Sequence, residues 1–199
     1  MTMKVQNWIF KFGLTIPFFY WLYLMFLTDL GGDPAKKLNH KTGEMAFYFL
    51  LANLAIGVLI ALKIKMPSPL RFLYQNRRFL GIITFFYLVM HLSFYLAMEG
   101  FEFKAIEQMY TKLYLIFATS AWILFLILTL TSNDFSVKKL TLKKWKLLHK
   151  VVYVGFALVA AHVLLIEKTD LIKYGLLVGG VVLIQSFRFY KTKLSKFNI

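Results

Sequence analysis

Four histidines, His40, His91, His149 and His162, supply every imidazole of this chain. Three of them lie in or beside long apolar runs. A neutral imidazole taken out of water needs a partner for each polar ring nitrogen. Two imidazoles facing one another across a helical bundle can meet that need by holding an iron between them. Each then spends one nitrogen on the metal and gives the other N–H to a backbone carbonyl. A porphyrin suits the setting, because its flat apolar body packs against Phe, Leu, Val and Gly while its propionates seek basic groups at a membrane edge.

Spacing selects the pair. His91 stands 13 residues after Arg78 and eight before Glu99, about 20 Å and 12 Å of helix axis. His162 stands 13 residues after His149 and five before Glu167, about 20 Å and 8 Å. His91 and His162 are therefore expected at similar depth, in the acidic half of the membrane, on different helices. His149 belongs at the Lys-rich boundary. On an ideal helix His149 and His162 point about 140° apart, so both face one side only if the helix tightens or the second site is offset. Arg77 precedes His91 by 14 residues and falls within about 40° of its helix face. A guanidinium has no lone pair for iron but can grip a propionate in a bidentate pair. The sites expected from the residues are thus His91 with His162 for one heme, and His149 with Arg77 for an inner one. The plainer alternatives are a membrane histidine that only bonds a neighbouring helix, worth about 1 kcal/mol, a solvated His149, and an Arg77 that anchors its helix at the surface. His40, between Asn39 and Lys41, is expected at the surface, and Asn53 and Gln185 as interhelical hydrogen-bonding residues.

The elements that must position these groups are membrane helices. Of 199 residues, 59% are hydrophobic, against roughly 45–50% in soluble domains. The excess falls into six runs, at 8–28, 45–62, 79–98, 113–131, 151–166 (approached helically from Trp145) and 171–187. Crossing about 30 Å of hydrocarbon takes roughly 17–25 helical residues. An all-α membrane protein follows: one domain over residues 1–199, a six-transmembrane-helix bundle. Gly31-Gly32-Asp33-Pro34 and Pro67-Ser68-Pro69 read as breaks, Phe101–Tyr110 as a short interfacial helix, and Thr141–Leu148 as an amphipathic approach. With the N-terminus inside, 17 of the 24 Lys and Arg residues fall on the inner side, so both termini are expected in the cytoplasm. The bulky Pro17-to-Trp21 stretch argues against a cleaved signal, and the first run is expected to persist as a helix.

Topology thus accounts for the net charge of +15, and no nucleic-acid role is expected. Without cysteine the chain carries no disulfide, iron–sulfur cluster or covalently attached heme. No Gly-rich nucleotide motif, internal repeat or low-complexity linker stands out.

The stretches GGDPAKKLNHKTGEMAF, RRFLGIITFFYLVMHLSFYL and WKLLHKVVYVGFALVAAHVLL, in this order and spacing, resemble MsrQ (formerly YedZ). That is the family of heme-binding membrane subunits of bacterial methionine-sulfoxide reductase systems, within the ferric-reductase-like transmembrane group to which NADPH oxidases are related. The resemblance covers nearly the whole chain. It implies a multi-pass protein of the bacterial inner membrane that binds heme b, one copy or two, with FMN as a candidate further cofactor. It implies electrons arriving from a cytoplasmic flavin reductase or the quinone pool. They leave to a periplasmic molybdopterin enzyme that reduces methionine sulfoxide in oxidised envelope proteins. The family's heme histidines fall on His91, His149 and His162. The wider group usually places two histidines on each of two helices, and here the third helix has one. The wider group often adds a flavin and nucleotide domain. This sequence stops about a dozen residues after the sixth run, so the reductase is expected to be a separate protein.

Two other functions are compatible with these residues. A self-contained ferric reductase would share the heme. A non-redox transporter or assembly protein would use the histidines for a proton or metal ion, and would be expected to show broken helices or inverted repeats at mid-membrane. No substrate chemistry is expected in this chain alone.

Overall fold

A computed structural model describes residues 3–27, 31–62, 65, 67–166 and 170–197. All regular structure among them is helical, in the order α1 (Met3–Leu27), α2 (Pro34–Ala61), α3 (Ser68–Gln75), α4 (Arg77–Met98), α5 (Phe103–Thr111), α6 (Leu113–Leu130), α7 (Asp134–His149), α8 (Val152–Leu164) and α9 (Leu171–Phe197). Five stretches are long and apolar enough to cross a membrane: α2, α4, α6, the α7–α8 unit Asp134–Leu164, and Leu171–Thr192 of α9. The remaining expected span, 8–28, falls on α1, with Thr28 outside the described residues, as is Glu167, from which the depth of His162 is counted.

Local signals set the boundaries. Asp33 caps α2 by accepting from the Lys36 N–H at 2.9 Å, with Pro34 in the first turn where its missing N–H costs nothing. Proline also opens α3, after Pro67 in extended conformation. The short amphipathic helix expected near 101–110 is α5, docked by Tyr95, Ala105 and Leu115. The expected amphipathic approach at 141–148 is helical except at its first residue, Thr141, where φ is 67° and ψ 150° and α7 is broken. Helical bonding then resumes, through a turn at 150–151, into α8.

Successive spans alternate in direction and so divide the bundle into a basic end and an acidic end. Two pairs form its centre. Helices α2 and α4 pack through Ala46, Ile56, Leu80, Ile83, Tyr87 and Met90, with Leu14 and Phe18 of α1 against that cluster. Helices α6 and α8 pack against α2 through Leu50, Leu54, Ala121, Phe125, Leu128 and Phe156. Gly155 permits the close α6–α8 approach, since a Cβ there would lie 2.9 Å from the Phe125 ring. Helix α9 is fastened to α2 near the acidic end, where Glu44 accepts from Lys173 at 2.6 Å and from Tyr48 at 2.9 Å. Large apolar side chains such as Phe12, Phe19, Leu176 and Leu183 point outward, as expected where the surrounding solvent is lipid.

Candidate functional site

His91 on α4 and His162 on α8 meet inside the bundle with ring centroids 6.4 Å apart and planes inclined by 72°. The Nδ1 of His91 lies 2.8 Å from the Asn39 carbonyl oxygen of α2. The Nδ1 of His162 lies 2.9 Å from the Tyr114 carbonyl oxygen of α6, and the Tyr114 ring stacks on it at 6.0 Å. A carbonyl only accepts, so each Nδ1 carries the proton and each Nε2 keeps its lone pair. Asn39 is tied in twice, because its side-chain amide also donates to the His91 carbonyl at 2.8 Å. Gly43, one turn further along α2, gives the ring its room. A Cβ there would lie 2.8 Å from both Cε1 and Nδ1 of His91.

This pair fits a metal that brings its other ligands with it. Among the described residues no cluster of three or more His, Cys, Asp or Glu side chains could hold a bare ion, and bare transition ions commonly take three or four protein ligands. Heme iron asks the protein only for axial ligands. Two metal–imidazole bonds of about 2 Å, with the radius of each ring added, span roughly 6 Å between ring centres, and the observed 6.4 Å matches. The Nδ1–H bonds to carbonyls are the outer-shell support that fixes the tautomer and raises ligand basicity.

Arg77 occupies a second layer, toward the basic end, on the same two helices. Its Nε donates to Asn53 Oδ1 at 3.2 Å, and the Asn53 amide donates back to the Arg77 carbonyl at 3.4 Å. Gly57 leaves space, with a Cβ there 3.3 Å from Arg77 Nη2. Fourteen residues separate Asn39 from Asn53, Gly43 from Gly57, and Arg77 from His91. Helix α2 therefore carries the pattern Asn-x-x-x-Gly twice, once as NHKTG and once as NLAIG. The repeat is two residues of pattern in a span of five, too sparse to register without the partner helix.

His149 stands apart from these two layers. Its ring packs on Trp145 at 4.0 Å, and its Nε2 lies 3.3 Å from Thr131 Oγ1. The Thr131 hydroxyl already donates within its own helix, to the Ile127 carbonyl at 2.8 Å. It can only accept from the ring, so here Nε2 carries the proton, the opposite tautomer to the outer pair. Trp145 is fixed by its own bond to the Thr131 carbonyl at 2.8 Å and by Arg78 at 5.1 Å from its ring, while Arg78 also pairs with Asp134. Between His149 and His162 the helix is tightened. Lys150, Val151 and Tyr153 donate to the carbonyls three residues back, of Leu147, Leu148 and Lys150. Each such residue adds about 20° over α-helical rotation, which reduces the misalignment expected for an ideal helix.

His40 is exposed. Asn53 and Gln185 do link helices, the latter through Nε2 to the Leu54 carbonyl at 3.3 Å. Sequence reasoning passed over Asn39, Gly43, Tyr114 and Thr131. Tyr114 and Asn39 act on the rings through backbone carbonyls, for which the side-chain type gives no sign. Gly43 and Thr131 show their use only against a residue of another helix.

Residues 35–160 match the family described as ferric reductase like transmembrane component. A Xanthomonas oryzae protein is 32% identical over 83% of this chain and 74% of its own length. A Salmonella arizonae protein is 35% identical over 82% of each. One from Xanthomonas campestris is 32% identical over 81% of this chain and 72% of its own. All three are called protein-methionine-sulfoxide reductase heme-binding subunit MsrQ.

Proposed function

The chain belongs to the MsrQ family of the ferric-reductase-like transmembrane group, and from that premise we propose that it is a heme b electron-transfer subunit of a methionine-sulfoxide reductase system. It lies in the bacterial inner membrane as six spans, α1 included, with both termini and the basic end in the cytoplasm. The excess of Lys and Arg at that end supports this orientation. Electrons enter from a quinol or a flavin reductase and leave at the acidic, periplasmic end to a molybdopterin partner that carries out sulfoxide reduction. The relatives' names support the system and the heme. Donor, acceptor and a role for FMN rest on the family resemblance.

The observation that carries the proposal is the facing pair of His91 and His162, each with Nδ1 on a backbone carbonyl. Bound heme supplies a one-electron carrier that neither substrate nor product has to reach. The chain's own residues do the rest. His91 and His162 offer Nε2 from opposite sides, Asn39 and Tyr114 fix both tautomers, and the apolar helices exclude water. An inner heme, where present, is held by His149 with a weak or absent sixth ligand, Arg77 serving a propionate. His149 must first give up its bond to Thr131, so this heme is expected to be the more easily lost.

Purified protein should show a low-spin b-type spectrum. His91→Ala or His162→Ala should abolish it or leave an open coordination site. Unchanged low-spin spectra in both variants would sink the pairing. Anaerobic reduction by candidate donors, followed by reoxidation by the periplasmic partner, tests the route. Sulfoxide turnover by the chain alone would contradict the division of labour.

A further inference from the structure

The inner layer contains more than the heme reading uses. Arg77 on α4 and Arg188 on α9 are brought to one level of the bundle by α2, where Asn53 holds Arg77 and the carbonyl of the adjacent Leu54 accepts from Gln185, three residues before Arg188. Arg188 Nη1 donates to the Tyr153 hydroxyl at 2.6 Å, and Asn53 orients Arg77. The ion pairs among the described residues are Lys41–Glu44, Arg78–Asp134 and Lys173–Glu44. Among the described residues no carboxylate pairs with Arg77 or Arg188. Two half-buried like charges in a membrane protein are unfavourable unless an anion joins them.

A second, independent observation points into the same place. Gln185, 8% exposed, lies three residues before Arg188 and so on the same face of α9. Its Nε2 donates to the Leu54 carbonyl, next to Asn53, while its Oε1 is buried with no hydrogen-bond partner. The amide cannot be reversed, since its oxygen would then face the Leu54 oxygen. A buried acceptor left unpaired is costly, and calls for a donor.

We propose that Arg77, Arg188, Tyr153 and Gln185 form an oxyanion site between α2, α4, α8 and α9, open toward the basic end, which takes the acidic group of an amphiphile. The two guanidiniums bind its oxygens. The Tyr153 hydroxyl, already accepting from Arg188, is free to donate to the same group, and Gln185 Oε1 accepts from an O–H of the ligand or of a water it carries. The shared chemistry is a carboxylate or phosphate on an apolar body. A heme propionate and a phospholipid head group are its two sources, and only the first rests on the heme reading.

The test uses the full chain in phosphatidylcholine nanodiscs. One arm titrates phosphatidylglycerol and counts retained lipid by native mass spectrometry. The other compares heme with heme dimethyl ester by heme-to-protein ratio. Wild type should retain one acidic amphiphile beyond the outer heme, and Arg188→Gln should weaken that retention about tenfold or more, leaving the low-spin spectrum of the His91–His162 pair unchanged. Loss with the dimethyl ester alone identifies a propionate, and saturable phosphatidylglycerol retention identifies a head group. Gln185→Leu, which removes no charge, should also lower retention and guards against a misfolded arginine variant. Equal retention of every probe by wild type, Arg188→Gln and Gln185→Leu overturns the site. Absence of the outer low-spin spectrum from wild type would instead count against the heme reading and leave the phosphatidylglycerol arm standing.

Discussion

The His91 and Arg77 layers share one backbone plan and end in different chemistry. In each, an Asn of α2 reaches a backbone carbonyl of α4, and one turn later a Gly of α2 makes room for the α4 side chain. In the outer layer that side chain is an imidazole answered by a second imidazole at 6.4 Å. In the inner layer it is a guanidinium held by Asn53, with the bonded pair of Arg188 and Tyr153 on α9 and α8. The helix pair therefore supplies a cradle that is indifferent to its occupant. What the cradle does is set by the residue placed in it and by what α8 and α9 bring opposite.

Filling the two glycines should break the comparison most sharply. A methyl at Gly43 meets the ring of His91, which is pinned to the Asn39 carbonyl and cannot swing aside cheaply. Gly43→Ala should remove most of the low-spin heme. Gly57→Ala meets only the flexible tip of Arg77 at 3.3 Å. It should leave the outer heme intact and change stability by no more than about 1 kcal/mol. Equal heme loss in the two variants, measured by absorbance against protein, would show that the room Gly43 leaves for the His91 ring is not what seats the outer heme.

Arg77→His asks whether the inner cradle can be converted. An imidazole there should raise low-spin heme content toward one further heme per chain, most clearly when Thr131→Val accompanies it and releases His149 Nε2. Pyridine hemochrome assay against protein concentration decides, and an unchanged ratio in the double variant would mean that the inner layer lacks space for a porphyrin. Smaller effects should follow from the asparagines. Asn39→Leu and Asn53→Leu each lose an interhelical bond worth about 0.6–1 kcal/mol. Asn39→Leu should broaden the low-spin signal in electron paramagnetic resonance, while Asn53→Leu should leave it alone. Smallest is Thr131→Val by itself, which frees His149 without supplying a sixth ligand. It should shift inner heme occupancy slightly and the outer spectrum not at all.

The helical architecture, five of the spans, the turn at Asp33, the helical approach over 141–148 and the matched depth of His91 and His162 were legible in the sequence. Each rests on helix periodicity and on hydropathy, which are local: a residue's depth follows from counting along its own helix. The pairing of His149 with Arg77 rests on depth and on the helix face that Arg77 shares with His91. Depth does not say what surrounds a ring, and the tertiary structure turns His149 toward Thr131 and Trp145 instead.

Composition and spacing by themselves determined that this chain is a helical membrane protein with imidazoles at matched depth on two helices. Only the tertiary structure decided which ring nitrogen each histidine leaves available, since that depends on whose carbonyl lies against it. It also decided that Gln185 bonds the Leu54 carbonyl, beside the Asn53 that holds Arg77, from a position 131 residues away, and that tightening after His149 rotates the rest of α8. The physical reason is common to all three. Rotation about a helix axis and the neighbours met across it are fixed by packing between helices, which no count along one chain segment contains.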